Sequence, residues 1–164
     1  MSRLENIRGQ LNYALNAAMK TFDKAIILIP DDKLDFKPTE ELMSISDLAV
    51  HVYMVALVYA AGALKGEFTN QDYSLIPFDP KKIKSAKEIV DYGQKVKDYV
   101  KDSLKKLTEA DMEKKVTYTC WGGIKIGGFE SLATILEEVI HHRGQLCVYL
   151  RLLGIKPPFI YDFS

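Results

Sequence analysis

Three side chains in this sequence have the types and the spacing of a metal site. Glu138 and His142 lie four residues apart in the stretch ILEEVIHHRGQLCVYLRLLG, and His51 lies in an earlier apolar stretch. Residues four apart are neighbours on one face of a helix. Two neutral imidazoles and a carboxylate, with one position open for water or substrate, form a recurring catalytic site for zinc and non-haem iron. The sequence therefore predicts that His51, Glu138 and His142 hold one divalent cation.

A helical wheel distinguishes the two adjacent histidines of this stretch. With Glu138 at zero, His142 lies at about 40°, Gln145 at about −20° and Tyr149 at about 20°, whereas His141 lies near −60°. The arc around Glu138 also carries apolar residues, so it should face the protein interior; they are Ile135, Leu146, Leu152 and Leu153. His142 is therefore expected to point inward.

His51 is expected to point inward as well, because apolar residues flank it at helical spacing, namely Leu48, Val55 and Val58. A carboxylate buried alone in an apolar core is costly unless it is paired, protonated or bound to metal. A plainer interpretation stays open beside the metal site. Inward histidines can satisfy core hydrogen bonds, and Glu138 could pair with Arg143 or with a lysine at the end of a bundle.

The elements that must position these residues are four long helices. Apolar periodicity and the flanking Ser, Gly and Pro residues predict helices over about residues 3–29, 46–64, 86–107 and 129–153. Residues 67–84 are interpreted as a surface loop. The segment between Asp111 and Gly128 is rich in β-branched residues and glycine, which predicts a short hairpin or an irregular segment. We therefore expect an all-α four-helix bundle in a single domain, residues 1–164.

The last predicted helix has a second apolar strip on its far side, formed by Leu136, Ile140 and Cys147. Another helix or a second subunit is expected to cover it. Cys147 lies about 180° from Glu138 and is excluded from the site. Gln145, Tyr149, Tyr53 and Trp121 are assigned no role beyond that of candidate pocket-lining residues.

Composition narrows the partners and the location. Lys plus Arg and Asp plus Glu number 22 each, so no net field favours nucleic acid or an anionic membrane. The longest apolar passage, LAVHVYMVALVYAAGAL, is shorter than the roughly 20 residues that span a bilayer and contains a histidine. The N-terminus does not resemble an export signal, and the two cysteines form no disulfide framework. A cytoplasmic location is expected.

Two segments resemble the DinB/YfiT-like superfamily. HHRGQLCVYLRLLGIKPP is similar to its C-terminal signature, and LIPDDKLDFKPTEELMSISDLAVHV is similar to its first interhelical segment and the start of its second helix. The resemblance implies an up-down-down-up four-helix bundle, commonly a homodimer, with a divalent metal held by three histidines. His51 and His142 match two of those histidines, whereas Glu138 occupies the position of the third.

The resemblance also implies candidate chemistry. Characterised relatives include transferases and isomerases that use low-molecular-weight thiols such as bacillithiol or mycothiol. A divalent metal (zinc, nickel, iron or manganese) would then activate the small-molecule thiol towards an electrophilic substrate. The leading hypothesis is a metal-dependent thiol S-transferase or related hydrolase. The alternative is a non-catalytic metal-binding or stress-response bundle, degenerate because Glu138 replaces a histidine.

Overall fold

The computed structural model describes residues 2–161, apart from the side chain of Arg3. Four long helices and one short helix account for most of this range: α1 (Arg3–Ile27), α2 (Ile45–Lys65), α3 (Ala86–Lys106), α4 (Glu109–Glu113) and α5 (Gly128–Leu152). Three short strands lie between them: β1 (Glu67–Phe68), β2 (Lys115–Tyr118) and β3 (Ile124–Gly127). The four predicted helices are confirmed, and the fold is mostly helical with a small sheet.

The helices begin and end at the predicted signals. Ser44 is the N-cap of α2, and its hydroxyl accepts from the Asp47 N–H at 3.1 Å. Ser85 and Glu88 form a capping box at the start of α3. Gly66 ends α2 with a φ of 88°, a left-handed conformation that glycine adopts without steric cost.

Contacts between helix ends establish the directions of the helices. The Asp31 carboxylate, just after α1, accepts from the backbone N–H of Ala86 at the start of α3. The Ser46 N–H at the start of α2 donates to the Leu34 carbonyl in the same connection. Near the C-terminal ends of α1 and α5, the guanidinium of Arg143 donates to the hydroxyl of Thr21. Hence α1 and α5 run one way while α2 and α3 run the other, which confirms the up-down-down-up bundle.

Of the two structures expected between Asp111 and Gly128, a hairpin or an irregular segment, the hairpin forms between α4 and α5. Strands β2 and β3 pair antiparallel, with Val116 opposite Ile126. Gly122 and Gly123 turn the chain between them with φ of 74° and 82°, which explains the glycine pair. The short helix α4 was not predicted, since five residues are too few for apolar periodicity to register.

The segment after α2 differs from the predicted surface loop. Strand β1 pairs parallel with β2, and Phe68 on it is fully buried. The carboxylate of Asp72 is also buried, where it accepts from the N–H of Thr69 and pairs with Lys65. The small sheet therefore contains one strand more than the predicted hairpin, because pairing between distant short segments leaves no local periodicity.

The polar face of α3 is not uniformly solvated. Lys97 on α3 is only 15% exposed and pairs with Asp23 of α1. The hydroxyl of Tyr53 on α2 donates to the same carboxylate. This buried cluster joins three helices, and it places Tyr53 away from the face of α2 that carries His51.

The apolar character of α2 is satisfied inside the protein. By length and composition, α2 could cross a membrane, contrary to the expectation from its longest apolar passage. However, 72% of its most apolar window is buried within the bundle. Helices packed on all sides by other helices are typically apolar all round.

The two apolar strips predicted on α5 are only partly buried. Ile135 and Leu146 are completely buried as expected, but Leu152 is 59% exposed in the last turn, where the partner helices no longer cover it. On the far strip, Cys147 is buried while Ile140 is 47% exposed. The far side of α5 is therefore open along part of its length.

Candidate metal centre

The three predicted ligands converge between α2 and α5. His51 lies in the second turn of α2, and Glu138 and His142 lie on the facing surface of the antiparallel α5. Oε2 of Glu138 is 3.3 Å from Nε2 of His51 and 3.2 Å from Nε2 of His142. The two imidazole centroids are 4.9 Å apart. One donor atom from each of the three residues therefore faces a common point.

These separations fit a divalent cation. Metal–ligand bonds of about 2.1 Å place neighbouring donors about 3.0 Å apart in octahedral and about 3.4 Å apart in tetrahedral geometry. The two observed nitrogen–oxygen separations lie between those values. All three donor atoms lie within 4.8 Å of one another. The residues present therefore form a group that could bind a metal.

Gln145 determines how His142 faces the site. Its side-chain oxygen is 2.7 Å from Nδ1 of His142, and its amide nitrogen is 3.0 Å from Nε2 of His141. An amide oxygen only accepts, so Nδ1 of His142 carries a proton and the lone pair of the neutral ring lies on Nε2. That lone pair then faces Oε2 of Glu138. Because both atoms are electron-rich, a proton or a cation between them must stabilise the arrangement.

The exposure of Glu138 differs from the prediction. Its side chain is 31% exposed and that of His51 is 35% exposed, whereas that of His142 is only 10% exposed. The carboxylate therefore lies at the mouth of the site and is not buried alone in the core. Arg143 does not pair with it, because that guanidinium binds Thr21 of α1.

The protonation state of His51 suits metal binding. Burial and the neighbouring His142 lower the pKa of His51, although Glu138 acts in the opposite direction. The neutral imidazole that a metal requires is therefore favoured around neutral pH.

A pocket of about 370 Å³ opens beside His51. Its walls come from α2, the residues before it, the 67–84 segment and the β2–β3 turn, and are mostly apolar: Met43, Asp47, Val50, His51, Met54, Val55, Val58, Tyr73, Pro80 and Trp121. The α2 members could be found from their helical spacing to His51. Tyr73 and Pro80 could not, because only the tertiary path of the 67–84 segment brings them there.

The four candidate lining residues have different roles. Trp121 lines the pocket, and Gln145 orients His142. The hydroxyl of Tyr149 donates to the Met43 carbonyl at the pocket end. Tyr53 is fully buried in the Asp23 cluster and is not among the residues that line the pocket.

A second pocket, of about 490 Å³, shares Asp47 and Pro80 with the first. It is much more polar, since three lysines, three aspartates and the hydroxyls of Ser44 and Ser46 line it; the charged residues are Lys37, Lys81, Lys84, Asp31, Asp35 and Asp47. An apolar compartment beside the three candidate ligands thus continues into a charged one.

Comparison with known proteins places this site in a family. The sequence profile of the DinB family matches residues 1–164. The protein YjoA of Bacillus subtilis (strain 168) is 26% identical over 126 residues, which make up 77% of each chain.

Solved structures share the fold at low sequence identity. YjoA, a DinB-like protein, superposes with a TM-score of 0.72 at 21% identity, covering 92% of this chain and 96% of its own. YfiT from Bacillus subtilis is named as a probable metal-dependent hydrolase with an unusual four-helix bundle topology. It superposes with a TM-score of 0.70 at 12% identity, covering 95% of this chain and 91% of YfiT. A mycothiol-dependent maleylpyruvate isomerase superposes with a TM-score of 0.63 at 13% identity, covering 89% of this chain and 63% of the isomerase. The full-length profile match and this shared fold show that the chain belongs to the DinB family.

Proposed function

We propose that this protein is a divalent-metal-dependent enzyme in which His51, Glu138 and His142 hold the cation. The observation that carries the proposal is the approach of two imidazole Nε2 atoms to one carboxylate oxygen, at 3.2 and 3.3 Å, beside an open pocket. The naming of YfiT as a probable metal-dependent hydrolase supports it. Zinc, nickel, iron and manganese are the candidate ions, since two imidazoles and one carboxylate suit each of them.

The reaction that we propose is S-transfer from a low-molecular-weight thiol of the bacillithiol type, or a related hydrolysis. A divalent cation bound here would lower the pKa of a coordinated thiol or water and so supply a nucleophile near neutral pH. In the transfer, a carbon–sulfur bond forms, the leaving group departs with the electron pair of its broken bond, and the thiol proton passes to solvent. The mycothiol dependence of the structurally similar isomerase supports a thiol cosubstrate.

In this scheme the side chains of the protein orient the metal ligands and contact the substrate. Gln145 holds the His142 ring with Nε2 towards the site. Val55, Val58 and Met54 form an apolar wall beside His51 that would contact the apolar part of a substrate. The site requires no nucleophilic side chain.

The two adjoining pockets support a reaction between one polar and one apolar substrate, because one pocket is lined by charged residues and the other mostly by apolar ones. The lysines and aspartates of the second pocket suit the zwitterionic or hydroxylated body of a small thiol, whose sulfur would reach past Asp47 and Pro80 towards His51. The apolar pocket then remains for the electrophile.

We further propose that the protein is a cytoplasmic homodimer with no nucleic-acid or membrane partner. The proposal of a dimer rests on exposed apolar residues of α5, namely Ile140 and Val148 along the helix and Leu152 in its uncovered last turn. The proposed location rests on the two free cysteines, Cys120 and Cys147, which are typical of a reducing compartment. Equal numbers of acidic and basic residues argue against nucleic acid.

Metal analysis of the untagged full-length chain tests the ligand assignment. After reconstitution with each candidate ion and removal of excess, we expect about one ion per chain in the wild type. His51→Ala and His142→Ala should lose it while remaining folded. His141→Ala is the matched control, because it removes an exposed neighbouring imidazole that does not face the site. Trace metal in the wild type under every condition would refute the proposed function.

Measurement of catalytic turnover distinguishes a metal-dependent enzyme from a non-catalytic metal-binding bundle. The loaded wild type should conjugate a small thiol with an electrophile, or hydrolyse an activated ester, faster than the metal-depleted protein does. Stoichiometric metal without turnover across these reactions would favour the non-catalytic metal-binding bundle.

A further inference from the structure

Trp121 is the aromatic residue at the wall of the pocket that also contains His51. It follows β2 in the turn of the hairpin and is only partly buried. One side of its indole stacks on the ring of Tyr118, at a centroid distance of 5.4 Å and an interplanar angle of 26°. The ring of Tyr59 meets the indole edge to face at 5.3 Å. Trp121 also lines the pocket, so part of the indole remains accessible on that side.

The support behind Trp121 is rigid. Tyr118 is fully buried, and its hydroxyl donates to Ser131, which in turn donates to the Gly127 carbonyl, both at 2.8 Å. Its ring lies against Gly62 of α2 so closely that a Cβ there would be 2.7 Å from the ring. Both the hairpin and α2 therefore fix Tyr118, and Tyr118 holds the indole plane in place.

The rest of the pocket has few groups that could bind charge. Val55, Val58 and Met54 form its α2 wall, and Tyr73 provides a second ring. Asp47 is the one acidic residue among those that line this pocket, and it also lines the second, charged pocket. At about 370 Å³ the space is near the lower limit for sites that bind small organic ligands, which suits one substituted ring.

We propose that Trp121 is a specificity-determining residue and that the electrophile is planar and uncharged, either aromatic or conjugated. A flat substrate stacks on the preordered indole without ordering any further side chain. Its reacting atom then lies towards His51, and the thiol approaches from the second, charged pocket. This inference rests on the proposed function for its reaction, but the stacking itself requires no metal.

The test uses the fact that Trp121 is the only tryptophan in the chain. Its indole N–H gives a single side-chain signal in a nitrogen-15 correlation spectrum of the full-length protein. We titrate with 3-nitrobenzyl alcohol as the planar probe and with cyclohexylmethanol as a non-planar probe of similar size. The planar probe should shift the indole signal at lower concentration than the non-planar one does, with and without added zinc.

Variants separate stacking from a purely structural role of the indole. Ligand-observed binding to Trp121→Leu should be about 3- to 10-fold weaker for the planar probe and little changed for the non-planar one. Trp121→Phe should restore planar binding to within about 3-fold of the wild type. Phe129→Leu is the control, because Phe129 is an exposed aromatic residue that does not line this pocket.

The outcomes distinguish this proposal from the proposed function. Equal affinity of Trp121→Leu and the wild type for the planar probe, or equal losses for both probes, would overturn the inference. Failure of the metal analysis with intact planar binding would refute the enzyme and leave the stacking site established.

Discussion

Glu138 is the residue on which the chemistry of the site depends most. It brings a negative charge to a position where the family resemblance implies a third histidine. Both imidazoles lie at hydrogen-bond distance from the same oxygen of this carboxylate. A carboxylate is a harder ligand than imidazole, so the site should accept iron or manganese more readily than a three-histidine site would.

The substitution Glu138→His tests this interpretation. We expect the variant to keep about one zinc or nickel ion per chain, because three imidazoles are a competent ligand set, and to bind manganese at least about 10-fold more weakly. Glu138→Ala should lose affinity for every ion. Competitive titration against a chelator measures these changes. Manganese affinity that is unchanged in Glu138→His would show that the carboxylate is not a ligand.

The pH dependence of stability reports on His51. Burial and His142 lower its pKa in the folded protein below the ordinary value of 6.5. The unfolded chain therefore takes up this proton at a higher pH than the folded chain does. The metal-free protein should accordingly lose stability as the pH falls below about 6.5, until the folded-state pKa is reached.

Urea unfolding of metal-free protein between about pH 5 and 8 measures this effect. The His51→Gln variant lacks the imidazole that takes up this proton. Its free energy of unfolding should therefore decline less steeply than that of the wild type as the pH falls below about 6.5. His141→Gln, which changes an exposed ring, should retain the wild-type slope. An unchanged slope in His51→Gln would contradict the assignment.

At the scale of elements, the site depends on how closely the hairpin approaches α2. Gly62 allows the Tyr118 ring to lie directly on the α2 backbone. Tyr118 then stacks under Trp121, which forms part of the pocket wall. Gly62, a small residue in an apolar helix, therefore determines where Trp121 of the hairpin turn lies at the pocket wall.

Gly62→Ala should destabilise the protein by about 1–3 kcal/mol, since the new Cβ would force the buried Tyr118 ring to move. The fluorescence of Trp121 should change with it. Gly9→Ala in α1 is the matched control: nothing lies within 4 Å of the position that its new methyl group would occupy, so it should stabilise the helix by about 0.5–1 kcal/mol. Urea denaturation measures both variants. A neutral Gly62→Ala with unchanged fluorescence would contradict the close contact.

At the scale of the whole molecule, the outer face of α5 is the surface best suited to a second copy of the chain. Ile140, Val148 and Leu152 are between 47% and 59% exposed, and Val148 lies eight residues after Ile140 and four before Leu152. Gly144 lies between the first two, and nothing surrounds its Cβ position. Another helix could approach this face closely.

Sedimentation velocity should therefore show a dimer at micromolar concentration. Val148→Glu places a charge in the centre of the proposed contact and should shift the protein towards the monomer while its helical circular dichroism is retained. Thr134→Glu, a change at a polar position of the same helix outside this contact, should leave the dimer intact. A wild-type protein that stays monomeric in concentrated solution would contradict the dimer.

Much of the bundle was predictable because its helices obey local rules. Capping residues such as Ser44 and Ser85, and Gly66 at a left-handed position, act within one turn of chain. The inward direction of His142 follows from its place in an apolar stripe. Leu152 shows the limit of this reasoning, because periodicity gives a direction on the helix but not the point where the neighbouring helices end.

The amino-acid sequence alone determined the four helices, the hairpin turn and the inward faces that carry His51 and His142, because these depend on periodicity and on caps within a few residues. Only the tertiary structure decided that Glu138 lies at the mouth of the site, that Tyr53 belongs to another cluster, and that Tyr73 and Trp121 share a pocket with His51. Exposure and pocket shape depend on segments distant in the chain, whose packing no local pattern encodes.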